Sequence, residues 1–175
     1  RAITDGFEPG SVFKVVLAAA ALELGNVRSE DRFFCENGAL QIGRDVIHDH
    51  EPYGFLNFRE IMKVSSNIGF FKIGQRVGKK PFGAMIERLG FGRKTEIDFP
   101  GEEDGFIRSS SDWQEIDFAN ASFGQGVRVT PLQMLTAFSV IASGGVAFRP
   151  HFVSKVTTPS GKVILSGIQP SGTLH

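Results

Sequence analysis

A serine and a lysine three residues apart, Ser11 and Lys14, have the residue types and the spacing of an activated nucleophile. The segment from Ser11 to Leu24 is rich in alanine and leucine and predicts a helix that ends at Gly25. Residues three apart on a helix lie on one face, so the two side chains can reach each other. A serine at the start of a helix also faces the positive end of the helix dipole, which favours an alkoxide.

The lysine of this pair lies in the most apolar segment of the chain. Lys14 is the only basic residue between Arg1 and Arg28. Burial of an ammonium group lowers its pKa unless a carboxylate pairs with it, so we expect a depressed pKa for Lys14. A lysine that is neutral near pH 7 can take the proton of a serine hydroxyl. The alternative is a lysine whose stem is buried and whose amine reaches solvent.

A second polar cluster, Ser65-Ser66-Asn67, follows 54 residues after Ser11 at the junction of two predicted helices. The hydroxyl of Ser65 can relay a proton, and the carboxamide of Asn67 can hold a peptide group of a substrate. A serine pair at such a junction is also typical of ordinary helix capping.

Five segments follow one another along the chain from Arg1 to about Val156. They are Phe-Glu-Pro-Gly-Ser-Val-Phe-Lys at 7–14, His-Asp-His-Glu-Pro-Tyr-Gly at 48–54 with the later Ser-Ser-Asn, Leu-Gly-Phe-Gly at 89–92, Thr-Glu-Ile-Asp-Phe-Pro-Gly-Glu at 95–102, and Ala-Ser-Phe-Gly-Gln-Gly-Val-Arg-Val-Thr-Pro-Leu-Gln at 121–133. In this order they resemble the transpeptidase domain of class B penicillin-binding proteins. Ser-x-x-Lys and Ser-x-Asn are two of the three motifs of these serine enzymes.

The resemblance implies that Ser11 attacks the penultimate D-Ala carbonyl of a peptidoglycan stem peptide, with Lys14 as its base. It implies that Ser65 passes a proton to the leaving amine and that Asn67 binds the acyl-side amide, which makes Ser11 and Asn67 substrate-binding residues. The implied partners are stem peptides, β-lactam antibiotics as covalent inhibitors and the cell-wall synthesis machinery, with no metal or organic cofactor. The implied location is the periplasmic or extracytoplasmic face of the bacterial cytoplasmic membrane, with a parent protein anchored by an N-terminal transmembrane helix.

The third family motif, Lys-Thr-Gly, does not occur in the 175 residues, and the triplet Ser171-Gly172-Thr173 lacks the lysine. In the family this motif lies on a strand of the central sheet and supplies an oxyanion-hole N–H. We therefore expect a mostly α-helical partial transpeptidase domain over residues 1–166. It corresponds to the helical subdomain of the penicillin-recognising α/β fold, with a short C-terminal β-hairpin and the central sheet largely missing. We expect weak or no activity from this chain alone, and a non-catalytic helical module is the alternative.

The element boundaries follow from capping and turn residues. Asn57 and Glu60 form a capping-box pattern, and Thr130-Pro131 opens a later helix. We expect residues 11–24, 58–77, 82–89 and 131–143 to be mainly helical, residues 26–56 and 91–128 to be irregular with fewer than three strands before residue 146, a hairpin of 152–158 with 162–165, and a linker or appended tail at 167–175.

Other function classes are disfavoured by composition and motifs. The 19 basic and 19 acidic residues cancel, which disfavours binding to nucleic acid or to an anionic membrane. The single cysteine, Cys35, excludes an internal disulfide and has no neighbouring His or Asn signature of a catalytic thiol. The run His48-Asp49-His50-Glu51 could bind a metal but lacks the spaced third and fourth ligands of a structural zinc site.

Two relatives of the transpeptidases are also alternatives. A β-lactamase needs a glutamate-held water to hydrolyse its acyl-enzyme, and no Glu-x-x-Leu-Asn segment follows Ser65-Ser66-Asn67. A β-lactam-sensing receptor domain shares the first two motifs but fits the segments between residues 89 and 133 less well.

Overall fold

The computed structural model describes residues 1–166 and 170–173, and the chain in it divides into two compact units. The first unit contains Glu8–Ile86 and Ile107–Val127. The second unit contains Arg1–Phe7, Glu87–Phe106 and the chain from Arg128 onward. Ser11, Lys14, Ser65 and Asn67 all belong to the first unit.

Five α-helices form the framework of the first unit. They are α1 (Lys14–Glu23), α2 (Phe58–Val64), α3 (Asn67–Val77), α4 (Lys79–Arg88, whose last two residues belong to the second unit) and α5 (Glu115–Ser122). Short 3-10 turns at Gly10–Phe13, Glu36–Gly38 and Ser110–Asp112 accompany them. The capping box predicted at Asn57 and Glu60 is confirmed at the start of α2.

The core of the first unit lies between α1, α3 and α5. A Cβ placed on Gly74 of α3 would lie 2.7 Å from Ser122 Oγ, 3.3 Å from Phe118 and 3.5 Å from Leu17, so glycine lets the three helices close on one another. Phenylalanine fills the adjoining space, with the rings of Phe118 and Trp113 stacked 5.9 Å apart. Because α1 is buried by this packing, Lys14 at its first turn cannot avoid an apolar environment.

The prediction that residues 26–56 are irregular is wrong. Four short strands form here: β1 (Arg32–Phe34), β2 (Ala39–Ile42), β3 (Asp45–His48) and β4 (Phe55–Asn57). β2 pairs with β3 and β1 pairs with β4, both antiparallel. Each strand has only three or four residues, which is too short for a recognisable alternation of apolar and polar positions. The turn-forming residues that suggested irregular structure lie in the connections between these strands.

The prediction of a loop over 91–128 is also wrong, because it missed α5. This helix has eight residues, buries only four of them, and begins at a capping box of Gln114 and Asp117 rather than at a serine or threonine. The predicted helix at 82–89 is confirmed with an earlier start at Lys79, so that Pro81 is its third residue. The first four N–H groups of a helix have no partner within it, so proline is tolerated there.

The second unit contains α6 (Pro131–Ala142), whose capping box of Thr130 and Gln133 confirms the predicted start. The strands β7 (Val146–Phe148) and β10 (Pro170–Thr173) pair antiparallel, and β8 (Lys155–Thr157) pairs with β9 (Val163–Ser166) as the predicted hairpin. Of the expected tail at 167–175, only β10 is described; residues 167–169, 174 and 175 lie outside the described residues.

Two more strands of two residues each, β5 (Phe106–Ile107) and β6 (Val127–Arg128), complete the elements. Six strands therefore precede residue 146, against the expectation of fewer than three. None of the sheets that the described residues form has more than two strands. The expected fold class, a mostly helical part of the fold without its large sheet, is confirmed within this part of the chain.

Candidate active site

Ser11 lies in the 3-10 turn that runs directly into α1, and it is exposed. The helix proper begins only at Lys14, whose N–H bonds the carbonyl of Ser11. The two residues predicted to act together therefore lie on consecutive turns, one reaching solvent and the other buried.

The turn that carries Ser11 is also held by a close approach between the backbones of Gly10 and Gly124. The N–H of Gly10 donates to the carbonyl of Gly124 at 2.9 Å. A Cβ on Gly124 would lie 2.1 Å from the Gly10 carbonyl oxygen and 2.7 Å from the Cβ of Phe13. Only glycine permits this approach, so Gly124 helps to position the turn that carries Ser11 through its backbone alone.

The amine of Lys14 is enclosed by three oxygen atoms. Its Nζ donates to the carbonyl of Ser65 at 2.6 Å, to Ser65 Oγ at 2.9 Å and to Asn67 Oδ1 at 2.7 Å. The centre of the Phe70 ring lies 5.4 Å from this amine, and Lys14 is only 3% exposed. The alternative of a lysine that extends its amine into solvent is therefore wrong.

Burial lowers the pKa of Lys14 from 10.5 to about 8, while the carboxylate of Asp49 acts in the opposite direction and raises it. The predicted depression of this pKa is confirmed. Its cause is the predicted one, removal of the ammonium from water, and the nearby carboxylate only partly offsets it.

Ser65 and Asn67 come from the break between α2 and α3. Ser65 ends α2 in the left-handed region, with φ 57° and ψ 41°. Ser66 caps α3 by accepting the N–H of Gly69 at 2.8 Å, so the capping interpretation holds for this residue. Asn67, the first residue of α3, also donates from Nδ2 to the carbonyl of His48 at 2.9 Å.

The structure adds one residue that sequence reasoning did not assign to the site, Asp49. Its Oδ2 accepts the hydroxyl of Ser66 at 2.5 Å, and its Oδ1 accepts the N–H of Ile68 at 3.1 Å. The buried thiol of Cys35 lies 3.5 Å from the same hydroxyl, and burial raises its pKa. The sequence signal that could have identified Asp49 was its place in the segment 48–54, which resembles a family segment. That resemblance gave the Asp49 carboxylate no role.

The segment 48–51, considered above as a possible metal site, makes structural hydrogen bonds instead. Asp49 holds the turn at Ser66, and the carbonyl of His48 holds Asn67. Within residues 1–166 and 170–173, no group of three or more His, Cys, Asp or Glu side chains is placed to hold a metal ion.

A cavity of about 340 Å³ lies in the second unit, and it contains none of the four predicted site residues. Its lining includes Lys94 and Arg149, but Lys94 pairs with Asp104 at 3.7 Å and Arg149 donates to the carbonyl of Glu96. The candidate active site is therefore the cluster around the Lys14 amine rather than this cavity.

None of the described helices combines the length and the apolar character needed to cross a bilayer.

Comparison with known proteins identifies the family to which the chain belongs. Residues 1–170 match the family described as penicillin binding protein transpeptidase domain. The chain is 34% identical over 162 residues to penicillin-binding protein PbpB of Mycobacterium tuberculosis, covering 91% of this chain and 24% of the relative. It is 34% identical over 164 residues to the probable peptidoglycan D,D-transpeptidase PenA of Neisseria meningitidis, covering 94% and 28%.

Solved structures give the same result. Penicillin-binding protein 3 from Mycobacterium tuberculosis, complexed with aztreonam, superposes with a TM-score of 0.88 at 31% identity, over 97% of this chain and 38% of that one. The transpeptidase domain of Burkholderia pseudomallei penicillin-binding protein 3 gives a TM-score of 0.84 at 29% identity, over 95% and 49%. The chain thus spans about a quarter of the curated relatives and half or less of these solved chains.

Proposed function

This chain belongs to the transpeptidase family of class B penicillin-binding proteins, and we propose that Ser11 is the acyl-transfer nucleophile of a peptidoglycan D,D-transpeptidase. The observation that carries the proposal is the buried amine of Lys14, whose pKa is lowered to about 8. At pH 7 roughly a tenth of such amines are neutral, against fewer than about one in a thousand at the ordinary value. A neutral Lys14 one turn from Ser11 is a competent base.

The first half of the reaction releases the terminal D-Ala. The hydroxyl proton of Ser11 moves to Nζ of Lys14 while Oγ attacks the penultimate D-Ala carbonyl. The tetrahedral intermediate then loses its C–N bond, and the leaving amine takes a proton. Ser65 Oγ lies 2.9 Å from the Lys14 amine, so a proton can pass from Lys14 through this hydroxyl to the leaving group.

The second half makes the crosslink. The amine of a neighbouring stem peptide attacks the acyl-enzyme, its proton leaves through Ser65 and Lys14, and Ser11 regains its own proton. Asn67 uses Oδ1 for Lys14 and one N–H for His48. Its carboxamide keeps a second N–H and a second lone pair, which suit a peptide group on the acyl side.

β-Lactams resemble the D-Ala-D-Ala terminus, and we propose that they acylate Ser11. Solved proteins similar to this chain include a penicillin-binding protein 3 complexed with ampicillin. The corresponding location is extracytoplasmic, in a parent protein anchored to the membrane and working with the cell-wall synthesis machinery. The chain on its own carries no Lys-Thr-Gly triplet, so we expect it to react slowly.

Intact-mass spectrometry of the folded chain in excess benzylpenicillin tests the proposal. We expect a penicilloyl adduct that accumulates slowly, maps to Ser11 and is absent from Ser11→Ala. Ser111→Ala, at another exposed serine of the first unit, is the matched control and should still be labelled. An adduct that survives Ser11→Ala would contradict the assignment, as would no adduct over an incubation long enough to reveal a thousandfold slower reaction.

A further inference from the structure

Asp49, which directly follows β3, binds the turn between α2 and α3 at two points. Oδ2 accepts the hydroxyl of Ser66 at 2.5 Å, and Oδ1 accepts the N–H of Ile68 at 3.1 Å. Charge-assisted bonds of this kind are stronger than bonds between neutral groups. Ser66 is 1% exposed and in turn accepts the N–H of Gly69, so the turn is held from its buried side.

The same turn presents the oxygen atoms that surround the catalytic lysine candidate. Ser65 contributes its carbonyl and its hydroxyl to Lys14, and Asn67 contributes Oδ1. Ser65 does so from a left-handed conformation, with φ 57°, which is strained for a non-glycine residue. Such a conformation persists only when the surroundings fix it. Asp49 bonds Ser66 and Ile68, which follow Ser65 by one and three positions.

We propose that Asp49 is a positioning residue of the acyl-transfer site: it braces the turn that carries Ser65 and Asn67 and thereby holds their oxygen atoms against the amine of Lys14. The inference rests on the proposed function for the meaning of the site. The brace itself is a property of the folded chain that can be measured without activity.

A titration of Lys14 can report the effect of Asp49, because few charged groups surround the Lys14 amine. Three groups in contact with Lys14 are neutral: Ser65, Asn67 and the ring of Phe70. The carboxylate of Asp49 is the charge that acts on it, raising its pKa against the larger effect of burial. The thiol of Cys35 bonds the same Ser66 hydroxyl as Asp49, and the charges of Glu36 and Lys72, which pair with each other, also act on this thiol.

Asp49→Asn keeps the shape of the side chain and removes its charge. The amine of Lys14 then remains buried but loses its compensating carboxylate, so its pKa should fall below about 8. Removal of a nearby opposite charge shifts a pKa by about one unit or more. The N–H of Ile68 should exchange with solvent at least about tenfold faster, because it bonds a neutral acceptor in a looser turn.

The experiment is an NMR titration of the chain with isotope-labelled lysine, in which Lys14→Met identifies the Lys14 resonance. Asp45→Asn makes the same chemical change at an exposed position on β3 and is the control. We expect a lower Lys14 pKa and faster Ile68 exchange in Asp49→Asn, and the parent values in Asp45→Asn. An unchanged Lys14 pKa in folded Asp49→Asn, with only a lower unfolding midpoint, would show a purely structural role and overturn the inference.

A second variant covers the case in which Asp49→Asn does not fold. Ser66→Ala leaves the charge in place and removes the hydroxyl that Oδ2 binds. A moved Lys14 pKa in this variant supports the brace, and an unmoved one overturns it.

Benzylpenicillin labelling of the same samples separates the two proposals. A shifted Lys14 pKa in Asp49→Asn without any Ser11-dependent labelling of the parent would uphold the brace and reject the acyl-transfer function. Ser11-dependent labelling of the parent, with an unchanged Lys14 pKa and labelling rate in Asp49→Asn, would uphold the function and reject the brace.

Discussion

The amine of Lys14 donates a 2.7 Å hydrogen bond to Oδ1 of Asn67, a residue 53 positions further along the chain. This bond joins the first turn of α1 to the first turn of α3, and so joins the two sequence motifs into one site. A neutral acceptor at this position stabilises the ammonium by a hydrogen bond without adding a countercharge. The choice of a carboxamide over a carboxylate therefore helps to keep the pKa of Lys14 low.

Asn67→Asp should raise the pKa of Lys14. A carboxylate at hydrogen-bond distance favours the charged amine, and a shift of about one to three units upward is typical of such a pair. The neutral fraction near pH 7, and with it the rate of Ser11 acylation, should fall at least about tenfold. NMR titration of labelled lysine measures the shift.

The control is Asn26→Asp, which introduces the same charge at an exposed position of the first unit. Its Lys14 pKa should match the parent. A Lys14 pKa at or below about 8 in folded Asn67→Asp would contradict the proposed electrostatics of the site.

Lys14 also makes stability depend on pH in a defined window. Its pKa is about 8 in the folded chain, against the ordinary value of 10.5 for lysine, which we take for the unfolded chain. Between these values the unfolded state binds more protons, so the free energy of unfolding should rise as pH increases from about 8 to 10.5. The gain is up to roughly 3 kcal/mol.

Urea denaturation of the parent and of Lys14→Met across this pH range measures the effect. Contributions of the other ionisable groups are common to both proteins and cancel in the difference. The difference in free energy of unfolding should grow in favour of the parent with increasing pH. A difference that is flat, or that falls, would show that Lys14 is not buried as an amine with a lowered pKa.

The sequence predicted the parts of the site that local chemistry controls. Ser11 lies in the 3-10 turn that leads directly into α1, which begins at Lys14. Asn57 and Thr130 cap their helices through partners only three positions further along the chain. Motifs of this kind can be recognised from a few consecutive residues, without knowledge of the fold.

The brace at Asp49 could not be found in that way. Its partners are 17 and 19 residues away, and they meet it only because β3 packs beside α3. The short strands at residues 32–57 escaped prediction for a related reason, since each has three or four residues and forms through pairing rather than through a local pattern. Helix α5 is similar, because Phe118 packs against Phe71 and Trp113, which both lie outside the helix.

The chain alone should react with a β-lactam more slowly than a protein that carries the Lys-Thr-Gly strand. One oxyanion-hole donor typically contributes ~3–4 kcal/mol of transition-state stabilisation, which corresponds to roughly a hundredfold to thousandfold in rate. Labelling by a fluorescent penicillin, compared with the Mycobacterium tuberculosis penicillin-binding protein 3, measures the ratio. Rapid, stoichiometric, Ser11-dependent labelling would show that another group supplies the donor.

Gly124→Ala should destabilise the first unit and displace the turn that carries Ser11. Gly124 has φ 80°, and a Cβ there would lie 2.1 Å from the Gly10 carbonyl oxygen, closer than any real contact. Backbone strain and the forced separation together should lower the free energy of unfolding by about 2–4 kcal/mol. Ser11 moves with the Gly10 carbonyl, so acylation should slow further than the loss of stability explains.

Gly126→Ala is the matched control for this last effect. Gly126 also has a positive φ, 68°, but a Cβ there meets no atom within 4 Å. The control therefore carries the conformational strain without the collision and should lose only about 1 kcal/mol. Urea denaturation and benzylpenicillin labelling of both variants give the comparison. Equal losses of stability, with equal labelling of Ser11 in the remaining folded protein, would mean that the approach of Gly124 to Gly10 does not position the nucleophile.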